Sequence, residues 1–426
     1  MIKRNISSFG RGNNPGIVAG LKDPWHRTIG RRHSVIGKVC ARAILLFAMT
    51  CLIGHAAGAE TLQPVNAAYL GRSPDPATDP AGLGFDGASQ AIDDDNTTGQ
   101  FVGQRFLLKD ARLPADGDLP AAFRALTGEG QRLILVDLPA KDLRDLADLP
   151  EAKGVTLFNV RATDDELRGA DCRPNILHTA PSRAMLADAL IEYLIAKKWP
   201  NIFLVVGPTD ADRAYAAAIK QSIAKFRARL AAEKAWTFDP GAKRSDSGHY
   251  AVAAQVAEFT QGVSYDILIV ADEDAQFGDY LSYATSLPRP VAGTQGLVPA
   301  AWSRPHDEWG ASQLQNRFRH RFNRPMEARD YAAWLAVRAV GEGATRTAST
   351  EPERIAAYVR GDQFQLPGYK GEPLSFRPWD GQMRQAILLS DSHVLVSVSP
   401  QTGFLHPTTG LDTLGQDRPE SRCHAR

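Results

Sequence analysis

The sequence predicts an α/β protein built from two doubly wound, Rossmann-like lobes. Three observations predict it. The chain has 426 residues, more than one hydrophobic core of usual size accommodates. Apolar runs of four to six residues alternate with helical stretches, as a parallel sheet buried on both faces requires. That alternation runs through once and then starts again, so two sheets are expected.

In the first series, residues 65–70 read as a strand, followed by a loop rich in Pro, Gly and Asp and a helix around 85–94. Strands are expected at 105–109, 133–136 and 155–159, with helices at 119–126 and 143–149 between them. The second series opens at Ser182, a side chain suited to cap a helix. Leu186, Leu190 and Leu194 then repeat at helical spacing until Pro200 ends it. Strands at 202–206, 235–238 and 267–270 alternate with helices at 211–230 and 249–259. The last third differs: helices are expected at 309–322, 331–344 and 354–359, then strands at 375–376, 386–389 and 394–398. Aromatic residues at helical spacing in those helices read as core. The polar tail, 409–426, is expected to be disordered.

Residues 1–59 read as a secretory signal peptide. Nine basic residues against one acid, Asp23, precede an apolar run over 43–54 and the small residues Ala57, Gly58 and Ala59. The run falls short of the ~20 residues that span a bilayer. Arg31-Arg32 suggests twin-arginine export, but the residues after it fit that pattern poorly and ordinary secretion is favoured. Cleavage after Ala59 leaves 367 residues in the periplasm. It removes nine of the 49 basic residues and one of the 48 acidic ones, so the mature chain carries a net charge of −7. Such a chain lacks the charge on which nucleic-acid affinity rests. Cys40 and Cys51 leave with the signal, while Cys172 and Cys423 remain. An oxidising compartment permits a bridge between them, but Cys423 lies in the polar tail, so a single buried Cys172 is expected.

Catalytic motifs are not apparent. Gly82-Leu83-Gly84-Phe85-Asp86-Gly87 is a formal G-x-G-x-x-G, yet twelve residues, Gly71–Gly82, separate Leu83 from Leu70 at the end of the first strand. A dinucleotide site needs those glycines directly after the strand, so they are read instead as letting the first helix pack close to the sheet. The histidines are scattered, with no H-E-x-x-H or C-x-x-C, and there is no G-x-S-x-G elbow. Neither metal nor cofactor is expected, and the chain is not read as an enzyme.

Doubly wound sheets bind ligands outside the carboxyl ends of their strands. That rule selects Asp137 and Leu138 after the third strand and Arg161, Ala162 and Thr163 after the fourth. In the second series it selects Thr209, with Tyr215 one turn into the helix, and Asp272; Gln295 lies on a loop expected to join the lobes.

Two segments carry a family resemblance: "HTAPSRAMLADALIEYL" from His178 and "YKGEPLSFRPWDGQ" from Tyr369. With the export signal and the paired series, they resemble the type I periplasmic binding proteins of the branched-chain amino-acid ABC transporter class. "VDLPA", "LFNVRATDDELRGADCRPNILHTAPSRAMLADAL" and "DYAAWLAVRAVGE" further resemble a subgroup, the binding proteins associated with pyrroloquinoline-quinone (PQQ)-dependent alcohol dehydrogenase systems.

The resemblance implies a three-crossover hinge, with lobe I over 62–180 and 297–365 and lobe II over 181–296 and 366–408. It implies a monomer that closes on a small-molecule ligand and meets an ABC permease and its cytosolic ATPase, touching the membrane only through that permease. It links the ligand to periplasmic alcohol or aldehyde oxidation, with the quinone or an oxidised product as candidates. In amino-acid-binding members the loop comparable to Gln295 carries a carboxylate that pairs with the ligand ammonium. A neutral amide there argues against an ordinary α-amino acid, although Asp272 could substitute. A sensor subunit with a separate signalling partner is the alternative, and a periplasmic enzyme a weaker one.

Overall fold

The first apolar series forms a parallel sheet of five strands. They are β1 (Gln63–Arg72), β2 (Gln104–Leu113), β3 (Leu133–Asp137), β4 (Thr156–Asn159) and β5 (Ile176–His178), in the order β2-β1-β3-β4-β5. The computed structural model describes residues 62–75, 79–237 and 246–424, with the side chains of 246–251 left aside. The expected signal peptide lies outside them.

Every residue of β3 and β4 is buried, which is why those segments read as unbroken apolar runs. One face of the sheet is covered by α1 (Phe85–Gly99), the other by α2 (Leu119–Gly128) and α3 (Ala140–Ala147). The Gly-rich segment does two jobs. A Cβ on Gly84 would strike the hydroxyl of Tyr69 on β1, while one on Gly87 would overlap the carbonyl of Asp330. The tight approach at Gly87 is therefore to another helix and not to the sheet. At the start of α1 the Gly84 N–H donates 2.7 Å to the carboxylate of Asp330, so that N–H is already committed to an acid of the chain.

The second series forms four parallel strands, β6 (Asn201–Val206), β7 (Arg229–Ala235), β8 (Ile267–Ala271) and β9 (Val291–Gly293), in the order β7-β6-β8-β9. On one face lie α4 (Arg183–Ala196) and α5 (Asp210–Lys225); on the other, α6 (Asp246–Thr260) and α7 (Gly278–Ala284). Ser182 caps α4 as expected, its side chain accepting from the Met185 N–H. By contrast α5 ends at Lys225, short of the expected 230, and β7 begins six residues before 235. Arg227 adopts a left-handed φ of 57°, and the Ala228 N–H returns 2.9 Å to the Ile223 carbonyl. This closes the helix with a Schellman-type turn that composition alone does not reveal.

The last third returns to the first lobe. α8 (Ala311–Phe322), α9 (Ala328–Thr347) and α10 (Pro352–Arg360) bury their apolar faces with α1 against the five-stranded sheet. β10 (Val298–Ala300), β13 (Ile387–Ser390) and β14 (Leu395–Ser399) form an antiparallel sheet, and β11 (Ser375–Phe376) and β12 (Met383–Arg384) a short pair. Leu366, Leu374, Phe376 and Met383 belong to the core of lobe I, whereas Ile387 and Leu389 belong to that of lobe II. The third passage between lobes therefore lies at 384–386 and not near Gln365.

The tail corrects two further expectations. Residues 409–424 are ordered: Leu411 and Leu414 are buried, and Leu414 joins the lobe II core. Asp412 accepts from the Nε of Arg377 and the Nε of Arg384, each at 2.8 Å. Cys423 is bonded to Cys172, so Cys172 is not a lone thiol. Two leucines, one aspartate and the disulfide are among the contacts that dock a segment that is otherwise polar.

Candidate ligand-binding cleft

The loops leaving the carboxyl ends of β3, β4, β6 and β8 meet around a cavity of about 1110 Å3. Lobe I contributes Arg161, Ala162 and Thr163, and lobe II contributes Arg183, Leu186, Ala211 and Glu273. Both sheets thus present the same end to one space, the arrangement in which doubly wound folds bind ligands.

Asn159 shapes the lobe I wall. Fully buried at the end of β4, its Oδ1 accepts from the backbone N–H groups of Arg161 at 3.2 Å and Ala162 at 2.8 Å. Its Nδ2 donates 2.7 Å to the Ala162 carbonyl and lies 3.0 Å from His178 Nδ1. An asparagine closing an Asx-type turn after a strand is a readable sequence signal, although the strand-end rule does not select it.

Arg168 holds the same loop from behind. Its buried guanidinium donates to the carbonyls of Ala162 (2.9 Å), Asp164 (3.0 Å) and Ala180 (2.8 Å) and to Gln382 Oε1 (2.8 Å). The Gln382 amide donates in turn to the carbonyls of His178 and Ala180. Burial pushes the Arg168 pKa down to about 10, against the pull of Asp165 and Asp380. One cation therefore ties the 162–164 loop to two of the chain passages between lobes.

Three arginines face the cleft, in different states. Arg183 is committed: its Nε and one terminal nitrogen each donate 2.7 Å to Glu273, and another lies 3.2 Å from Asp164. Burial alone would lower its pKa, but the Glu273 and Asp164 carboxylates raise it. Arg329, in the first turn of α9, stands 3.6 Å from Asp137 and 3.8 Å from Asp79, beyond hydrogen-bond reach. Arg161 has no ion pair, and its guanidinium makes no hydrogen bond, among the described residues. Desolvation and then the neighbouring Arg329 hold its pKa below the ordinary arginine range.

The structure brings together only part of the expected site. Arg161, Ala162 and Thr163 line the cavity. Asp137 lies beneath it, 3% exposed, accepting from the Tyr69 hydroxyl at 2.7 Å. Leu138 is fully buried in the lobe I core. Thr209 spends its side chain on a capping box with Asp212 at the start of α5. Tyr215 is buried, with a hydroxyl lacking a partner and a pKa raised by burial and then by Glu273.

Asp272 and Gln295 are also displaced from the role expected of them. The Asp272 carboxylate accepts from the N–H groups of Gln276, Phe277 and Gly278 at 2.7–2.9 Å. The Gln295 amide donates 2.9 Å to the Asp272 carbonyl and accepts from the Thr294 hydroxyl at 2.6 Å. Their polar groups brace lobe II and do not line the cavity. Gln295→Ala is expected to cost about 1–2 kcal/mol of stability, the usual cost of stranding a buried carbonyl and hydroxyl, with ligand affinity changed less than twofold. Urea denaturation and a binding titration on one sample check both.

Among the described residues no group of His, Cys, Asp and Glu could hold a metal ion, and no helix is long and apolar enough to cross a membrane.

No family model and no curated protein matches the sequence. Solved structures do match. A branched chain amino acid ABC transporter periplasmic ligand-binding protein from Burkholderia xenovorans LB400 aligns with a TM-score of 0.66 at 14% identity, over 85% of this chain and 99% of that one. A periplasmic binding protein from Burkholderia mallei gives 0.60 at 14% identity, over the same shares. A solute binding protein of an ABC transporter from Rhodopseudomonas palustris, in complex with benzoate, gives 0.58 at 12% identity over 85% of this chain and 99% of that one. At such identities the likeness establishes a two-lobed periplasmic-binding-protein fold.

Proposed function

We propose that this chain is the periplasmic substrate-binding protein of an ABC importer. It captures a small ligand between its lobes as a monomer and presents the closed form to a membrane permease driven by a cytosolic ATPase. One observation carries the reading: loops from the carboxyl ends of both sheets line one cavity, and the lobes that flank it are joined by three chain passages. Few residues then absorb a large rotation, as closure around a ligand needs. The arginines of the cleft suit a binder, since each can hold a ligand without chemistry. A ligand biases closure by its differential contact with the closed form.

The fold neighbours support this reading: one is a periplasmic binding protein by name and two are ABC transporter binding proteins by name. The subgroup resemblance adds that the ligand belongs to periplasmic alcohol or aldehyde oxidation, as the quinone cofactor or an oxidised product. The test is small-angle scattering of the chain from Glu60, with alcohols, carboxylic acids, amino acids and quinones added singly. A ligand that contracts the protein unchanged in chemistry supports the proposal. Conversion of that ligand, or no contraction with any compound, overturns it.

A further inference from the structure

Arg161 and Arg329 both line the cleft from lobe I, and neither guanidinium makes a hydrogen bond among the described residues. Arg329 has two carboxylates nearby but out of hydrogen-bond reach, at 3.6 and 3.8 Å, and Arg161 has none in ion-pair range. Arg329 also lies close enough to disfavour the charge of Arg161. Half-buried guanidinium groups left in this state are costly unless something fills the space between them and accepts from both.

The other cations of the cleft are spent. Arg183 is paired with Glu273 and Asp164, and Lys141 with Asp145 at 2.6 Å. The cavity wall carries five alanines, Ala162, Ala180, Ala300, Ala301 and Ala332, beside the acids Asp79, Asp164, Glu273 and Asp274, and no aromatic side chain lines it. Its volume of about 1110 Å3 exceeds the ~300–1,000 Å3 of ordinary ligand pockets. The space therefore has room for a bulky body, with the alanines as an apolar seat and the two arginines as partners for one anionic end.

We propose that the cleft selects an organic carboxylate, with Arg161 and Arg329 as the anion clamp and the alanine wall as the seat of the apolar body. The proposal rests on the binding-protein reading and names its substrate class. A planar carboxylate accepts from guanidinium forks two bonds at a time, which fixes orientation as well as charge. Of the pair, Arg161 is the anchor, because no carboxylate of the described residues lies within ion-pair distance of it.

The experiment is calorimetric titration of the mature protein with acetate, benzoate, 2-naphthoate, phenyl phosphate, benzyl alcohol and leucine, repeated with Arg161→Gln and Arg161→Lys. Affinity is expected to rise from acetate through benzoate to 2-naphthoate. Arg161→Gln is expected to weaken the two aryl carboxylates by about ten- to a hundredfold, the range of charge-assisted hydrogen bonds. Arg161→Lys is expected to fall between, keeping charge but losing the fork. The unliganded melting temperature of neither variant is expected to fall, since the Arg161 guanidinium makes no hydrogen bond or ion pair among the described residues.

Three results overturn the proposal: no carboxylate in the series binding at millimolar concentration, Arg161→Gln leaving carboxylate affinity unchanged, or phenyl phosphate, benzyl alcohol or leucine binding more tightly than 2-naphthoate. Tighter binding of leucine or benzyl alcohol would leave the binding-protein reading standing. That reading fails separately, if no compound of any class contracts the protein in scattering.

Discussion

Asp412→Ala is expected to destabilise the mature protein by about 3–5 kcal/mol, the cost of leaving buried charges without a partner. The carboxylate sits between two guanidinium groups, accepting from Arg377 and Arg384 at 2.8 Å each. Arg377 is itself 1% exposed, so water cannot replace what is lost. Its remaining bonds run to the carbonyls of Leu411, Leu414 and Gln416 on the same tail, and those acceptors leave if the tail lifts. Asp380 stands 4.0 Å from Arg377 and is too distant to take over the pair. Asp412→Asn keeps the shape and one acceptor oxygen but not the charge, so an intermediate loss is expected. Equilibrium urea unfolding reads both; a loss below about 1 kcal/mol in Asp412→Ala would mean the two arginines find other partners.

That aspartate sits where the sequence says least. The central strands of both sheets were readable because burial on both faces leaves unbroken apolar runs, such as 133–136 and 202–206. The three-residue β5 and β9, by contrast, gave no such run, and β7, largely unburied, was misplaced. The strand-end rule also selected Arg161, Ala162 and Thr163, which line the cavity because the loop after β4 opens into it. It could not tell which polar groups at strand ends are free. Asp272 is followed at four to six residues by the N–H groups that consume its carboxylate, so its commitment is local and only the turn geometry reveals it. Arg329 and Arg168 were missed for the opposite reason. Each looks like a surface arginine, and its role comes from residues 161–164, far away in sequence or on a loop folded back over it. The third passage between lobes was misplaced because 366–383 carries apolar residues that either core could have taken.

Removing the Cys172–Cys423 bridge is expected to cost about 2–4 kcal/mol. The bond joins residues 251 apart, and the chain-entropy account gives roughly 5 kcal/mol for closing a loop of that length. A smaller loss is expected because the tail has other anchors. Leu414 packs in the lobe II core, and the Lys225 ammonium donates 2.7 Å to the Thr413 carbonyl and 2.9 Å to that of Gly415. These contacts tie the tail to lobe II, whereas Cys172 follows β4 of lobe I and precedes β5. The tail is thus a fourth link between the lobes, beyond the three passages of the main chain. Cys172→Ser and Cys423→Ser should lower the urea midpoint equally, and the double variant no further, since each removes the same bond. The bridge and Asp412 hold one segment, so their effects should not add. With the bridge intact, a tail freed at Asp412 stays near its seat; with Cys423→Ser it does not. Asp412→Ala should therefore unseat the tail more completely in the Cys423→Ser background, read as faster proteolysis after residue 408. Equal cleavage in both backgrounds would show that the disulfide does not hold the tail across the hinge.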